Sequence, residues 1–134
     1  DAIYRYPANL FGADFIGSPK VNLLEGVARD DVVEIGAFAV PKRARKASGP
    51  VIMAILPEDI TISSRPVPGG LECTVYSVLP AGADTTVVVK SQRLEITLKE
   101  AGSSKVSMDD RVWLQFNPDM VNLYSKETGS LLMG

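Results

Sequence analysis

The sequence contains no histidine and a single cysteine, Cys73, among its 134 residues. The first absence removes the commonest general base and the commonest transition-metal ligand, so a Ser-His-Asp or Cys-His centre cannot be assembled from this chain. The second excludes any internal disulfide. Aromatic residues make up only 7% of the chain and the net charge is −2, a composition poor in the cations and stacking rings that single-stranded nucleic acid requires. Long apolar runs are absent as well. The longest, Val51-Ile52-Met53-Ala54-Ile55-Leu56, is far short of the roughly 20 residues that span a bilayer. No Gly-Lys dipeptide occurs, so the phosphate-cradling loop of a nucleotide hydrolase is excluded and no catalytic role is expected.

What is present is enough to bury a core: 46% of residues are hydrophobic. From Val21 onward the apolar pattern has period two. Leu71, Cys73 and Val75 share one face, as do Leu94, Ile96 and Leu98, and Val112, Leu114 and Phe116. Strands are also expected at 22–28, 32–35, 37–40, 61–63 and 85–90, with Val51–Leu56 as a central strand apolar on both faces. Pro80-Ala81-Gly82-Ala83-Asp84 marks a turn. Pro66-Val67-Pro68-Gly69-Gly70 is the strongest breaker and is expected to divide the β region into two sub-halves. Residues 1–20 differ. Leu10, Phe11, Phe15 and Ile16 roughly mark one face of a short helix, with Pro7 in its first turn and Gly17 at its stop. The expected fold is therefore mainly β, a small barrel over 21–134 behind a short helical linker over 1–20.

Several clusters read as ordinary structure. Lys42-Arg43-Ala44-Arg45-Lys46 is a solvated loop, and Asp30-Asp31 and Asp109-Asp110 are turn formers with no calcium-loop spacing. Cys73 is a small buried hydrophobe. Trp113 faces away from Val112, Leu114 and Phe116; it either packs under a second layer or anchors an interface.

The stretch from Tyr4 to Leu24, with Pro7-Ala8-Asn9-Leu10-Phe11 followed by Phe15-Ile16-Gly17-Ser18-Pro19, resembles the end of the ATPase domain in ABC importer ATP-binding subunits. The likeness is to subunits that energise uptake of sugars and glycerol phosphates, in which a β-rich regulatory domain follows. Ile55-Leu56-Pro57-Glu58-Asp59-Ile60 is similar to the family's Arg-Pro-Glu segment, with Leu56 at the arginine position. Val75–Val89 is similar to its strand-Leu-Gly-strand hairpin, with Leu79-Pro80-Ala81-Gly82 read as a longer link. Asp109–Asp119 is similar to its closing Gly-Asp-x-Val-x-Leu segment, with Asp109 at the glycine position and, beyond it, Asn122 where the family has histidine.

The resemblance implies an oligonucleotide/oligosaccharide-binding-like (OB-like) barrel of the TOBE type, serving as a non-catalytic regulatory and dimerisation domain. It implies no cofactor in this chain, with ATP and magnesium held by the absent domain. The implied partners are that ATPase domain, a second copy of the subunit, a regulatory protein and the membrane permease subunits, at the cytoplasmic face of the membrane. The interface residues expected on this basis are Leu56, Pro57, Glu58 and Asp59 with Asn117, Pro118 and Asp119, all on surface loops; Trp113; and Phe11 and Phe15 docking the linker. The alternative is a sensor for an oxyanion such as molybdate or sulfate, held by groups like those of Thr85-Thr86 and Ser103-Ser104-Lys105.

Overall fold

The structure, a computed structural model, describes residues 8–11, 21–36, 38–41 and 47–133. It is mainly β, with two antiparallel sheets that belong to two compact units. The first unit comprises Asp1–Ile55 and Pro118–Gly134, and the second comprises Leu56–Asn117. The divide thus falls at 55/56 and 117/118. Pro66–Gly70, expected at the divide, lies inside the second unit, in the link between two of its strands.

The first unit carries strands β1 (Asn22–Arg29), β2 (Val32–Ile35), β3 (Phe38–Pro41), β4 (Gly49–Ile55), β10 (Asn122–Ser125) and β11 (Leu131–Met133). Their spatial order is β11-β10-β4-β1-β2-β3. Strands β1 to β3 form a meander whose first turn, at Asp30-Asp31, places Asp30 at φ 52°, a conformation aspartate tolerates better than most residues. One inward row runs Leu123–Met53–Leu24 across three strands, and Val51, Val33 and Val40 fill the same core. β4 is a central strand between β1 and β10; Val51, Met53, Ala54 and Ile55 are buried, Ile52 is half-buried and Pro50 exposed, so the consecutive burial of residues 53–55 is where its sequence loses alternation. β10 reads Asn-Leu-Tyr with all three residues buried.

The second unit carries β5 (Ile60–Ser63), β6 (Leu71–Ala81), β7 (Asp84–Ser91), β8 (Leu94–Ala101) and β9 (Arg111–Phe116), ordered β5-β9-β6-β7-β8. β8 returns alongside β5 and the 3₁₀ turn Pro57–Asp59, curling the sheet into an OB-like barrel. Its interior holds Ile60, Cys73, Val75, Val87, Val89, Ile96, Leu98, Val112, Leu114 and Phe116, so the period-two reading of β6, β8 and β9 identified the inward face correctly.

Two expectations are corrected. The Leu79–Gly82 stretch is no long link: Leu79, Pro80 and Ala81 belong to β6, and Ala81 pairs with Asp84 across a tight turn made by Gly82 and Ala83. Gly82 supplies the positive φ of 67° that this turn needs. The helix expected over 1–20 is not seen where the chain is described. Residues 8–11 form a bend, a bridge and a turn, because the Leu10 N–H is taken by the Gly129 carbonyl and the Phe11 N–H by the Asn9 side chain. The remainder of that expected helix lies outside the described residues.

Candidate interaction surface

The residues singled out around 56–59 and 113–117 are set by the geometry of β5 and β9. Pro57 opens a one-turn 3₁₀ helix and holds Leu56 extended at φ −78°, ψ 151°, as a residue before proline must be. The turn closes with the Asp59 N–H donating to the Leu56 carbonyl at 3.0 Å. β5 then pairs with β9, Ile60 opposite Phe116, and the Asn117 N–H donates to the Asp59 carbonyl at 3.4 Å. Asp59 and Asn117 are therefore neighbours.

Not all of the group is at the surface. Leu56 is 1% exposed and Pro57 is also buried, where surface-loop positions were expected. With leucine in place of arginine at residue 56 the side chain is apolar, and burying it is favourable by about 2 kcal/mol. Glu58 and Asn117 are exposed and Asp59 is half-buried. Pro118 and Asp119 belong to the first unit, in a second 3₁₀ turn (Pro118–Met120), half-buried and exposed respectively. Trp113 is half-buried on the outward side of β9, opposite Ser63 on β5 and Glu72 on β6. Gly70 lies against it, since a Cβ there would sit 3.3 Å from the Trp113 Cβ. Glu72 also pairs with Arg111 at 3.1 Å, so the ring is bordered by charges that water screens. Phe11 is 60% exposed, and Phe15 lies outside the described residues.

The groups offered for an oxyanion are largely committed elsewhere. The Thr85 hydroxyl is buried and donates to the Gly102 carbonyl at 2.7 Å. Ser104 donates to the Glu100 carboxylate at 2.7 Å, which places a negative charge where an anion would have to sit. Lys105 and Ser103 are exposed. No group of three or more metal-ligating side chains occurs among the described residues. Cys73 is buried, and its thiol is pushed up to about 11 by loss of solvation, with a hydrogen bond from Ser91 working in the opposite direction and the Glu72 charge adding to the rise. It is a neutral thiol at physiological pH and a poor nucleophile.

One surface feature went unread in the sequence. β6 carries a bulge between Val75 and Ser77, which leaves Tyr76 without a cross-strand partner and turns its ring outward. The Lys90 ammonium stands 3.9 Å from the ring centroid, a cation–π contact worth about 0.5–1 kcal/mol at an exposed site. Leu79 and Met108 are also exposed in this unit. The alternation of β6 does place Tyr76 outward, but no local signal announces the bulge. The bulge is held from a distance: Val75 exchanges hydrogen bonds with Asp109 and Asp110 at 2.8 and 2.9 Å. Asp109 reaches this position with φ 74°, the left-handed region that favours glycine, and the Ser107 N–H donates to the Asp110 carboxylate at 2.8 Å.

Comparison with known proteins adds three findings. Residues 53–123 match the family model described as a TOBE domain. The chain is 31% identical, over an alignment of 140 residues, to the xylose/arabinose import ATP-binding protein XacK of Haloferax volcanii, covering 96% of this chain and 36% of that protein. It is 32% identical over 133 residues to the sn-glycerol-3-phosphate import ATP-binding protein UgpC of Salmonella typhi, covering 95% and 37%. The chain thus spans little more than a third of the length of these curated relatives. Among solved structures, the cytoplasmic molybdate-binding protein ModG, with molybdate bound, superposes with a TM-score of 0.63 at 14% identity, covering 78% of this chain and 95% of that one; this is a likeness of fold.

Proposed function

The chain belongs to the TOBE domain family, and from that premise we propose that it is the non-catalytic regulatory and dimerisation domain of an ABC importer ATP-binding subunit energising uptake of sugars or glycerol phosphates. The observation that carries the reading is the near-complete alignment of this chain with importer ATP-binding subunits of two solute classes. The domain acts by binding. It supplies a contact between two copies of the subunit away from the ATP-bearing domains, so that those domains open and close by hinge motion without the dimer falling apart. A regulatory protein that prefers one of the two states then shifts transport activity by its difference in affinity. ATP and magnesium are handled by the ATPase domain, and the permease subunits are reached through it, at the cytoplasmic face of the membrane.

The residues assigned to contacts are, in the second unit, Glu58, Asp59 and Asn117 with Trp113 as an aromatic anchor, and, in the first unit, Pro118 and Asp119 with Phe11 and Phe15 on the linker side. Leu56 and Pro57 support the second-unit group from beneath. Sedimentation of the chain at high micromolar concentration tests the self-association: a dimer that weakens on Trp113→Ala is expected, and a strict monomer retires it.

The second reading, an oxyanion sensor, draws on the fold likeness to ModG. Titration calorimetry with molybdate, tungstate, sulfate and phosphate tests it, and the absence of heat with all four removes it.

A further inference from the structure

Residues Ala8–Phe11 are held against the turn between β10 and β11 by contacts that involve both backbone and side chain. The Leu10 N–H donates to the Gly129 carbonyl at 2.9 Å, the Leu131 N–H donates to the Ala8 carbonyl at 2.9 Å, and Asn9 forms an antiparallel bridge with Ser130. The Asn9 side chain works at both ends: its Nδ2 donates to the Thr128 carbonyl at 3.3 Å, and its Oδ1 accepts the Phe11 N–H at 2.7 Å. Gly129 completes the fit. It sits at φ 77°, and a Cβ there would lie 2.6 Å from the Phe11 ring and 2.9 Å from Asn9 Oδ1. The turn is braced from its own side by the Thr128 N–H on the Ser125 hydroxyl at 3.1 Å and the Gly129 N–H on the Ser125 carbonyl at 2.8 Å.

We propose that Asn9 and Gly129 form a clasp that pins Ala8–Phe11 rigidly to the turn between β10 and β11, so that this segment is a fixed part of the first unit and not a hinge. An unpaired backbone N–H or C=O at a strand end is open to exchange, and here Ala8–Leu10 engages the Leu131 N–H at the start of β11 and the Gly129 carbonyl of the turn. A flexible junction would need backbone groups free to exchange hydrogen bonds with water; at this one the N–H groups of Leu10, Phe11 and Leu131 are all engaged.

The test uses Ala8→Cys carrying a nitroxide label, which is selective because Cys73 is buried and protonated. It is combined with amide exchange at Leu10 and Leu131. The expected result is an immobilised label and protected amides, with Asn9→Ala and Gly129→Ala each mobilising the label and speeding both amides at least tenfold while Met53 is unchanged. Gly102→Ala, which places the same left-handed strain in the second unit with open space around it, leaves all of them as they were. A label already mobile without the clasp substitutions, or Leu10 and Leu131 exchange rates that neither Asn9→Ala nor Gly129→Ala moves, overturns the clasp. A strict monomer in sedimentation retires the dimer reading and leaves this result intact.

Discussion

Replacing Gly26 by alanine sets two effects of opposite sign against each other, and the structure decides between them. Gly26 lies in the middle of β1, paired with Val51 of β4. Alanine narrows the unfolded ensemble and should stabilise a strand by about 0.5–1 kcal/mol where its side chain has room. Here it has none. The new Cβ would lie 2.6 Å from the Glu34 backbone oxygen, 3.0 Å from Ile35 Cγ1 and 3.2 Å from Val33 Cγ1. The last two can give by small rotations. The first cannot, because Glu34 sits between β1 and β3, opposite Val27 on one side and Ala39 on the other, and moving its carbonyl strains both ladders. Overpacking of this kind costs about 1–3 kcal/mol, so the net change is a loss of about 1–2 kcal/mol. Amide exchange at Val51 and Met53 is the suitable assay, since it reports on the first unit whether or not the two units unfold together. Acceleration of about 5- to 30-fold at those amides is expected. Exchange at the original rate, or slower, would show that β2 yields freely and that the close approach of β1 and β2 does not constrain the sequence.

Three further outcomes follow from single groups. Cys73 holds its proton to about pH 11 in the fold and to about 9 when unfolded, so the folded state binds the proton more tightly; stability is intact below pH 9 and falls as pH rises toward 11, by up to about 2–3 kcal/mol, and Cys73→Ala should flatten that alkaline limb in urea titrations. Asp109→Gly relieves a left-handed residue whose main-chain bonds to Val75 are retained, and should leave urea stability unchanged or raise it by about 0.5 kcal/mol; a clear loss would mean that the Asp109 side chain itself holds the loop. Thr85→Val removes the donor to the Gly102 carbonyl inside the second unit and should cost about 1–3 kcal/mol by denaturant unfolding, with Thr85→Ser recovering most of it.

The second unit was the more legible of the two, for a physical reason. Its strands have one dry and one wet face, so β6, β8 and β9 display period two, and Cys73 and Trp113 fall on the faces their positions announce. The first unit conceals itself where consecutive residues are buried. Asn122–Tyr124 has no alternation, so β10 went unread, and the apolar run Val51–Leu56 hides the boundary between the units because it continues straight through 55/56. Leu10 and Phe11 carried helix-like spacing, but the Leu10 N–H finds its partner more than a hundred residues away at Gly129, a contact no local pattern encodes, and the Phe11 N–H is taken by the Asn9 side chain. Of the proposed contact residues, the sequence named 56–59 and 117–119 as two separate stretches, and the neighbourhood of Asp59 and Asn117 comes from the β5–β9 pairing, which no local pattern encodes. The sequence could not foresee that Leu56 turns inward.

Strand β4 lies between β1, which precedes it in the sequence, and β10, which leaves the ribosome some seventy residues after it. During synthesis the second unit is complete while β4 still offers one bare flank, carrying Val51, Met53 and Ile55, to any strand that drifts past. A chain ending at Asn117 would lack β10 and β11 and leave that flank of β4 without its partner. The strand at Asn122–Ser125 is thus the one that closes this flank of β4.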